Sequence, residues 1–279
     1  MDRYVETVRD VAGEMKIRDY LRSRLGLSSS LIGKVKYDNV ILNGAPVHMR
    51  AMIKNGDEIE IILPPEDSEN IEPMDIPLEI VYEDEYLIAI NKPKNMPVHP
   101  SRGNSLPTVA NALRHYIGQP FVFRAVNRLD RDTSGIVLRA KDRLAGAKLY
   151  QAMKERRFEK TYLAVVEGVP EVHGIIDAPI ERESDGSIKR VVREDGKRCL
   201  TEYELISAND DGTSLVKVIP HTGRTHQIRV HMAHIGHPLK DDFLYGTRGD
   251  ETYSLHCASL TFEHPFFGEE ITVKANIPK

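Results

Sequence analysis

The chain has 279 residues, 41% hydrophobic and 29% charged, and a formal net charge of −4. That length accommodates one large domain, or one large and one small, and the composition is that of a globular protein, not a disordered or fibrous one. No apolar run approaches the roughly 18 residues that span a bilayer, and no apolar h-region follows the charged N-terminus, so neither a membrane span nor a secretory signal is expected.

Cys199 and Cys257 are far apart and outline neither a disulfide framework nor a cysteine zinc site; a reducing cytoplasm is the expected compartment. The charge is unevenly placed. Lys16, Arg18, Arg22, Arg24, Lys34 and Lys36 face Asp19 alone across their stretch. A second island, from Lys217 to Lys240, adds Arg224 and Arg229 with no carboxylate. Two such islands on an acidic chain fit a polyanion footprint; on charge alone they read more readily as two solvated faces.

In chain order, KIRDYLRSRL places Ile17, Tyr20, Leu21 and Leu25 on one helical face. Ser28, Ser29 and Ser30 are candidate N-caps for a second helix, LIGKVK. Asn43-Gly44 and Asn55-Gly56 are turn dipeptides among short strands that end in the alternating EIEIIL. Residues 1–65 are therefore expected to form a small α/β unit, 66–75 an acidic Pro-bearing linker, and 76–279 a larger domain. In that domain LEIVYEDEYLIAIN predicts two strands around Glu83-Asp84-Glu85. TVANALRHYIG predicts a helix with Val109, Leu113, Tyr116 and Ile117 on one side. DRLAGAKLYQAMKERRF predicts another, capped by Asp142. TYLAVVEG, GIIDAPI, TEYELI, SLVKVI, SLHCASLTF and ITVKANI read as strands. Helices and strands do not alternate regularly, so the fold class is α+β, with a mostly antiparallel mixed sheet.

Three segments could carry chemistry. In NRLDRDTSGIVL, Asp130 flanked by Arg128 and Arg131 would stay ionised, and a carboxylate held by cations can attack an electrophilic carbon. The same residues also read as a charged turn whose Asp caps backbone groups. In HTGRTHQIRVHM, Gly223-Arg224-Thr225 offers amides, a guanidinium fork and a hydroxyl suited to phosphate. Its histidines, of which His231 and His234 would share a helix face, lie among arginines with no carboxylate, so no metal is expected. In KTYLAVVEG, Tyr162 alone reads as a packing residue of a strand.

In this order and spacing, RLDRDTSGIVL, KTYLAVVEG and TGRTHQIRVHM resemble the signature segments of the RluA-type RNA pseudouridine synthases. YEDEYLIAINKPKNMPVHP, GHPLKDDFLYG and LHCASLTFEHP extend the resemblance across most of residues 77–278. The N-terminal unit resembles, over a shorter stretch, the small αL-type RNA-binding domain of a ribosomal protein. Arg18, Arg22, Lys34 and Lys36 would be its RNA contacts. The resemblance implies that Asp130 is the nucleophile, that Arg229 pairs with it, and that Tyr162 packs on the target base and assists proton removal. It implies that Arg128 holds the target nucleotide out of its stack, that Leu255 lines the base pocket, and that Thr133, Arg224 and His226 bind substrate. Two departures stand out: Asn127 replaces the family's usual His, and Lys240-Asp241 replace a Leu-Gly before Asp242. Isomerising uridine to pseudouridine oxidises nothing and loses nothing, so no cofactor is expected. The implied partner is structured RNA, within this family most often large-subunit ribosomal RNA, with transfer RNA as the alternative; a monomer is expected. Two other readings exist. One is a non-catalytic RNA-binding protein. The other is a phosphatase of the haloacid-dehalogenase type, built on Asp130, Asp132 and Lys240-Asp241-Asp242.

Overall fold

The computed structural model describes residues 3–35, 39–63, 70–100, 106–246 and 254–277. The N-terminal unit contains β1 (Arg3–Thr7), β2 (Met15–Lys16), α1 (Ile17–Ser23), α2 (Ser29–Lys34), β3 (Val40–Leu42), β4 (Ala45–Pro46), β5 (Met52–Ile53) and β6 (Glu58–Ile62). α1 buries Ile17, Tyr20 and Leu21, the face that its spacing predicts. α2 is capped by Ser28, whose side chain accepts from the Leu31 N–H at 3.1 Å. Asn43 and Gly44 both take positive φ, at 49° and 82°, and join β3 to β4 in a tight hairpin. The sheet runs in the order β1-β6-β3-β4. β1 is absent from the expectations above, because RYVET, with one exposed valine and charged neighbours, reads as a polar N-terminus. Its pairing with β6 makes it a strand.

The larger unit continues with β7 (Ile80–Glu83), β8 (Leu87–Lys92), α3 (Val109–Ile117), β9 (Ser134–Ala140), α4 (Arg143–Lys154), β10 (Phe158–Glu167), β11 (His173–Asp177) and β12 (Ile180–Arg182). It ends with β13 (Arg190–Val192), β14 (Leu200–Ala208), β15 (Thr213–Pro220), α5 (Gln227–His234), β16 (Leu255–Glu263) and β17 (Glu270–Lys274). Nine strands form one sheet, in the order β11-β14-β15-β10-β16-β9-β8-β7 with β17 also on β16. Its pairings are antiparallel except β9 with β16, which is parallel through His256↔Ser134 and Cys257↔Gly135. The fold is thus α+β with a mostly antiparallel mixed sheet. β8 and β9 are buried at every position, which places them in the centre of the core.

Asp84 turns the chain from β7 to β8 by accepting the Tyr86 and Leu87 N–H groups, each at 2.7 Å. Thr108 and Asn111 form a capping box on α3. Tyr116 departs from the expected apolar side of that helix: it is exposed and donates its hydroxyl to Glu83 at 2.9 Å. α4 is capped by Asp142, which accepts from the Ala145 N–H at 2.8 Å, and it has two working faces. Ala145 and Leu149 enter the core of the large sheet, while Leu144 enters the core of the N-terminal unit. Tyr4 donates its hydroxyl to Asp142 at 2.9 Å, and Lys148 meets Glu6 at 3.3 Å across the same seam. The two units are therefore packed on each other through α4 and the partly buried Phe266.

Candidate active site

A cavity of about 820 Å³ opens beside the centre of the large sheet. It is lined by Arg128, Asp130, Thr133, Tyr162, Arg224, His226, Arg229 and Leu255, so every catalytic and substrate-binding candidate of the larger unit converges there. The RNA-binding candidates do not share it: Arg18, Arg22 and Lys34 lie exposed on α1 and α2, and Lys36 falls outside the described residues.

Asp130 sits on the loop entering β9. Asn127 pins that loop by donating from Nδ2 to the Ile136 carbonyl and accepting the Leu138 N–H at Oδ1, both at 2.8 Å. The amide supplies both a donor and an acceptor, so Asn127 holds the loop where the resembling sequences carry His. The Thr133 N–H closes the turn on the Asp130 carbonyl at 3.2 Å. Beneath it, the fully buried Lys92 donates from Nζ to the carbonyls of Pro93 at 2.8 Å and Arg131 at 2.9 Å. Burial pushes the Lys92 ammonium down to about 7, against the opposing pull of Asp132 and Asp130. Lys92 was not among the expected site residues; the signal was a lysine following Asn91 at the end of the apolar run LIAI.

Among the described residues, Arg229, which the resemblance pairs with Asp130, and His226 stand beside its carboxylate. Arg131 turns its fork to Asp132 instead, at 2.7 and 2.9 Å. Arg229 Nη1 and His226 Nε2 approach Asp130 Oδ2, each at 3.9 Å. Arg229 in turn makes its close bidentate contact with Asp242, both bonds at 2.7 Å. This pair is buried, with side-chain exposures of 4% and 0%, whereas the Asp130 side chain keeps 37%. Arg229 is thus anchored by Asp242 and offers its remaining edge to Asp130. Asp242 also accepts the Leu244 and Tyr245 N–H groups at 3.0 and 3.2 Å. Asp241 takes the left-handed conformation, φ 63°, which Asp tolerates better than most side chains, so the turn forms without the usual glycine.

Tyr162 is buried on β10. Burial first, then Cys257 and Asp130, push its phenol well above the ordinary value, so it stands protonated at pH 7. A resident phenolate base, one meaning of assisted proton removal, does not fit this site; a packing surface with an O–H does. Gln227, also missed from sequence, organises the opposite wall. Its Oε1 accepts from Thr222 Oγ1 at 2.9 Å and the Arg224 N–H at 3.0 Å. Its Nε2 donates to the Leu200 carbonyl and Thr201 Oγ1, both at 2.9 Å. Arg224 is exposed beside this wall, and Leu255 closes the floor. His231 and His234 do not act together: His231 is buried against Thr201 and the Ala178 carbonyl, and His234 is exposed. Among the described residues no group of three or more His, Cys, Asp or Glu side chains could hold a metal ion.

Residues 86–234, which supply the Asp130 loop, β10 and α5, match the family model described as RNA pseudouridylate synthase. The chain belongs to this family. It is an RNA pseudouridine synthase. It is 39% identical to the uncharacterized RNA pseudouridine synthase YjbO of Bacillus subtilis (strain 168), over 98% of this chain and 96% of that protein. It is 37% identical to ribosomal large subunit pseudouridine synthase D of Haemophilus ducreyi, over 93% of this chain and 84% of that protein. Among solved structures, human RNA pseudouridylate synthase domain containing 1 superposes with a TM-score of 0.61 at 30% identity, covering 74% of this chain and 86% of that one.

Proposed function

We propose that this synthase isomerises a uridine of large-subunit ribosomal RNA in the cytoplasm, with Asp130 as nucleophile. The observation that carries the nucleophile is the contrast within one cavity: Asp130 is half-exposed to it, while the arginine and tyrosine flanking it are buried. The ribosomal target rests on the relatives named for the large subunit, which match nearly the whole chain. A haloacid-dehalogenase arrangement is disfavoured, because its aspartate ends a hydrophobic strand and Asp130 instead precedes one.

An enzyme acting on a base must take it out of the stack, and the cavity is the receptacle. Arg128 at the rim keeps the nucleotide extruded, Tyr162 and Leu255 pack on the ring, and Arg224 and Thr133 hold the backbone and sugar. The bond from ribose carbon 1 to ring nitrogen breaks, and a bond from the same carbon to ring carbon 5 forms. The ionised Asp130 can attack the ribose carbon or ring carbon 6, or act as a base toward a glycal. The ring turns within the cavity, the carbon 5 proton passes to the freed carboxylate, and a proton returns from that carboxylate, directly or through water, to the ring nitrogen, so Asp130 ends ionised and atoms and charge balance. The exposed cations of α1 and α2 serve as a second, sequence-independent RNA contact. Mapping pseudouridine across total RNA with and without the gene tests the target. Loss of a large-subunit site is the expected result; loss confined to transfer RNA overturns the ribosomal assignment.

A further inference from the structure

Between Asp130 and the anchored Arg229 lies His226, whose surroundings define more than a substrate contact. It caps α5 in the left-handed conformation, φ 58°, without a side-chain cap bond, a strained placement that aims the ring across the cavity wall. Its Nε2 faces Asp130 Oδ2 at 3.9 Å and its Nδ1 meets the Tyr245 hydroxyl at 2.8 Å. The Tyr245 oxygen already accepts the Arg190 N–H at 2.9 Å. Burial pushes that phenol up to about 12, so it carries its proton. Among the described residues, the one acceptor that this O–H meets is His226 Nδ1. A donating hydroxyl at Nδ1 leaves the ring hydrogen on Nε2, pointing at the carboxylate. The opposite tautomer would face a nitrogen lone pair towards Asp130 and strand the phenol hydrogen. The Tyr245 ring also lies 5.0 Å from the Arg229 guanidinium, so one side chain touches both His226 and Arg229 beside Asp130.

We propose that Tyr245 is a positioning residue for the isomerisation, fixing His226 as the Nε2–H tautomer that turns an N–H, not a lone pair, towards Asp130 Oδ2 at 3.9 Å and so favours a carboxylate oriented towards the substrate. This rests on the reading of Asp130 as nucleophile. The charged and titratable groups facing His226 are Asp130, Arg229 and Asp242, Arg190 from β13, and Tyr245. Burial lowers the imidazole first, Asp130 and Asp242 oppose, and the two arginines add to the lowering, so the ring is neutral at pH 7. Tyr245→Phe keeps the ring over Arg229 and removes the hydroxyl that stabilises neutral imidazole, along with the acceptor of the Arg190 N–H. The pKa of His226 then rises, and imidazolium pairs too tightly with the nucleophile at mildly acidic pH.

The test has two readouts on the full chain. Nitrogen NMR of the histidine rings, with His226→Gln to assign the signal, should show Nε2–H in the wild type and an upward titration shift in Tyr245→Phe. Single-turnover conversion of an RNA that the wild type modifies should fall about tenfold in Tyr245→Phe at pH 7, the scale of one lost hydrogen bond. The deficit should be larger at pH 6 than at pH 8, with RNA affinity unchanged. In a His226→Gln background the same substitution should cost nothing further. An Nδ1–H tautomer in the wild type, or a Tyr245→Phe rate and pH profile like the wild type, overturns the proposal. A wild type that modifies no RNA would instead defeat the proposed function, and the NMR would still decide the tautomer.

Discussion

As the proposed nucleophile, Asp130 depends on its carboxylate, on its opening to the cavity and on Arg229 behind it, and each can be removed separately. Asp130→Asn deletes the charge and the nucleophile but little volume, so turnover should vanish with RNA affinity near normal; activity within about tenfold of wild type would reject the assignment. Arg229→Met should damage stability before chemistry, because it leaves the buried Asp242 carboxylate without its cation, a loss of about 3–5 kcal/mol in comparable buried pairs. Thermal unfolding should place Arg229→Lys between the two, since lysine keeps the charge and loses the fork. Lys92 gives a pH signature. Its folded pKa of about 7 lies below the ordinary 10.5, so above pH 7 the unfolded chain binds the extra proton and wild-type stability gains as pH rises. Lys92→Met lacks that gain, so the stability difference between the two should shift in favour of the wild type from pH 7 to pH 9 in urea unfolding; a constant difference would exclude a depressed Lys92. Asp130, Tyr162 and Arg229 were singled out by the resemblance of their segments to a family, and all three line one cavity. Lys92, Gln227 and Tyr245 were not, because their roles lie in contacts between segments far apart in sequence, which local pattern does not encode.

At the scale of elements, the helices and most strands followed from caps, turn dipeptides and periodicity. The elements that escaped, β1 and the short strands β2, β12 and β13, are short or polar and owe their form to partners elsewhere in the chain. Gly135 shows why the centre of the sheet tolerates little change. A Cβ there would lie 2.3 Å from the Cys257 carbonyl oxygen, at a φ of 108° that side chains disfavour. Gly135→Ala should force β9 off β16 and cost stability and activity together; a wild-type melting temperature would contradict the tight contact. The seam along α4 carries a further prediction. Leu144 is 2% exposed in the core of the N-terminal unit, so Leu144→Ala should cost about 2–5 kcal/mol or undock the unit. Limited proteolysis should then release it. If α1 and α2 form an RNA clamp, a chain lacking residues 1–70 should convert a minimal substrate but bind long RNA more weakly, with a shallower salt dependence. An unchanged salt slope would remove the clamp. Because deletion also bares Leu144 and Phe266, it should be made with Leu144→Gln to keep the seam soluble.

The parallel junction of β9 with β16 is the feature of the whole molecule with the widest reach. Ser134 and His256, 122 positions apart, meet there through a hydrogen bond of 2.9 Å, immediately behind the Asp130 loop. Contacts between such distant segments form late, because a long loop must close before they repay its entropy. During synthesis the N-terminal unit, with its local hairpins and helices, can fold early, while the sheet centre waits for β16 to leave the ribosome. A nascent chain would then hold a folded N-terminal unit long before it owned a working pocket. Ribosome-stalled chains ending before Leu255 should therefore be inert towards free RNA, and chains extended past β17 active. The order of synthesis would thus withhold catalysis until β16 has been made, a temporal safeguard that follows from strand order alone.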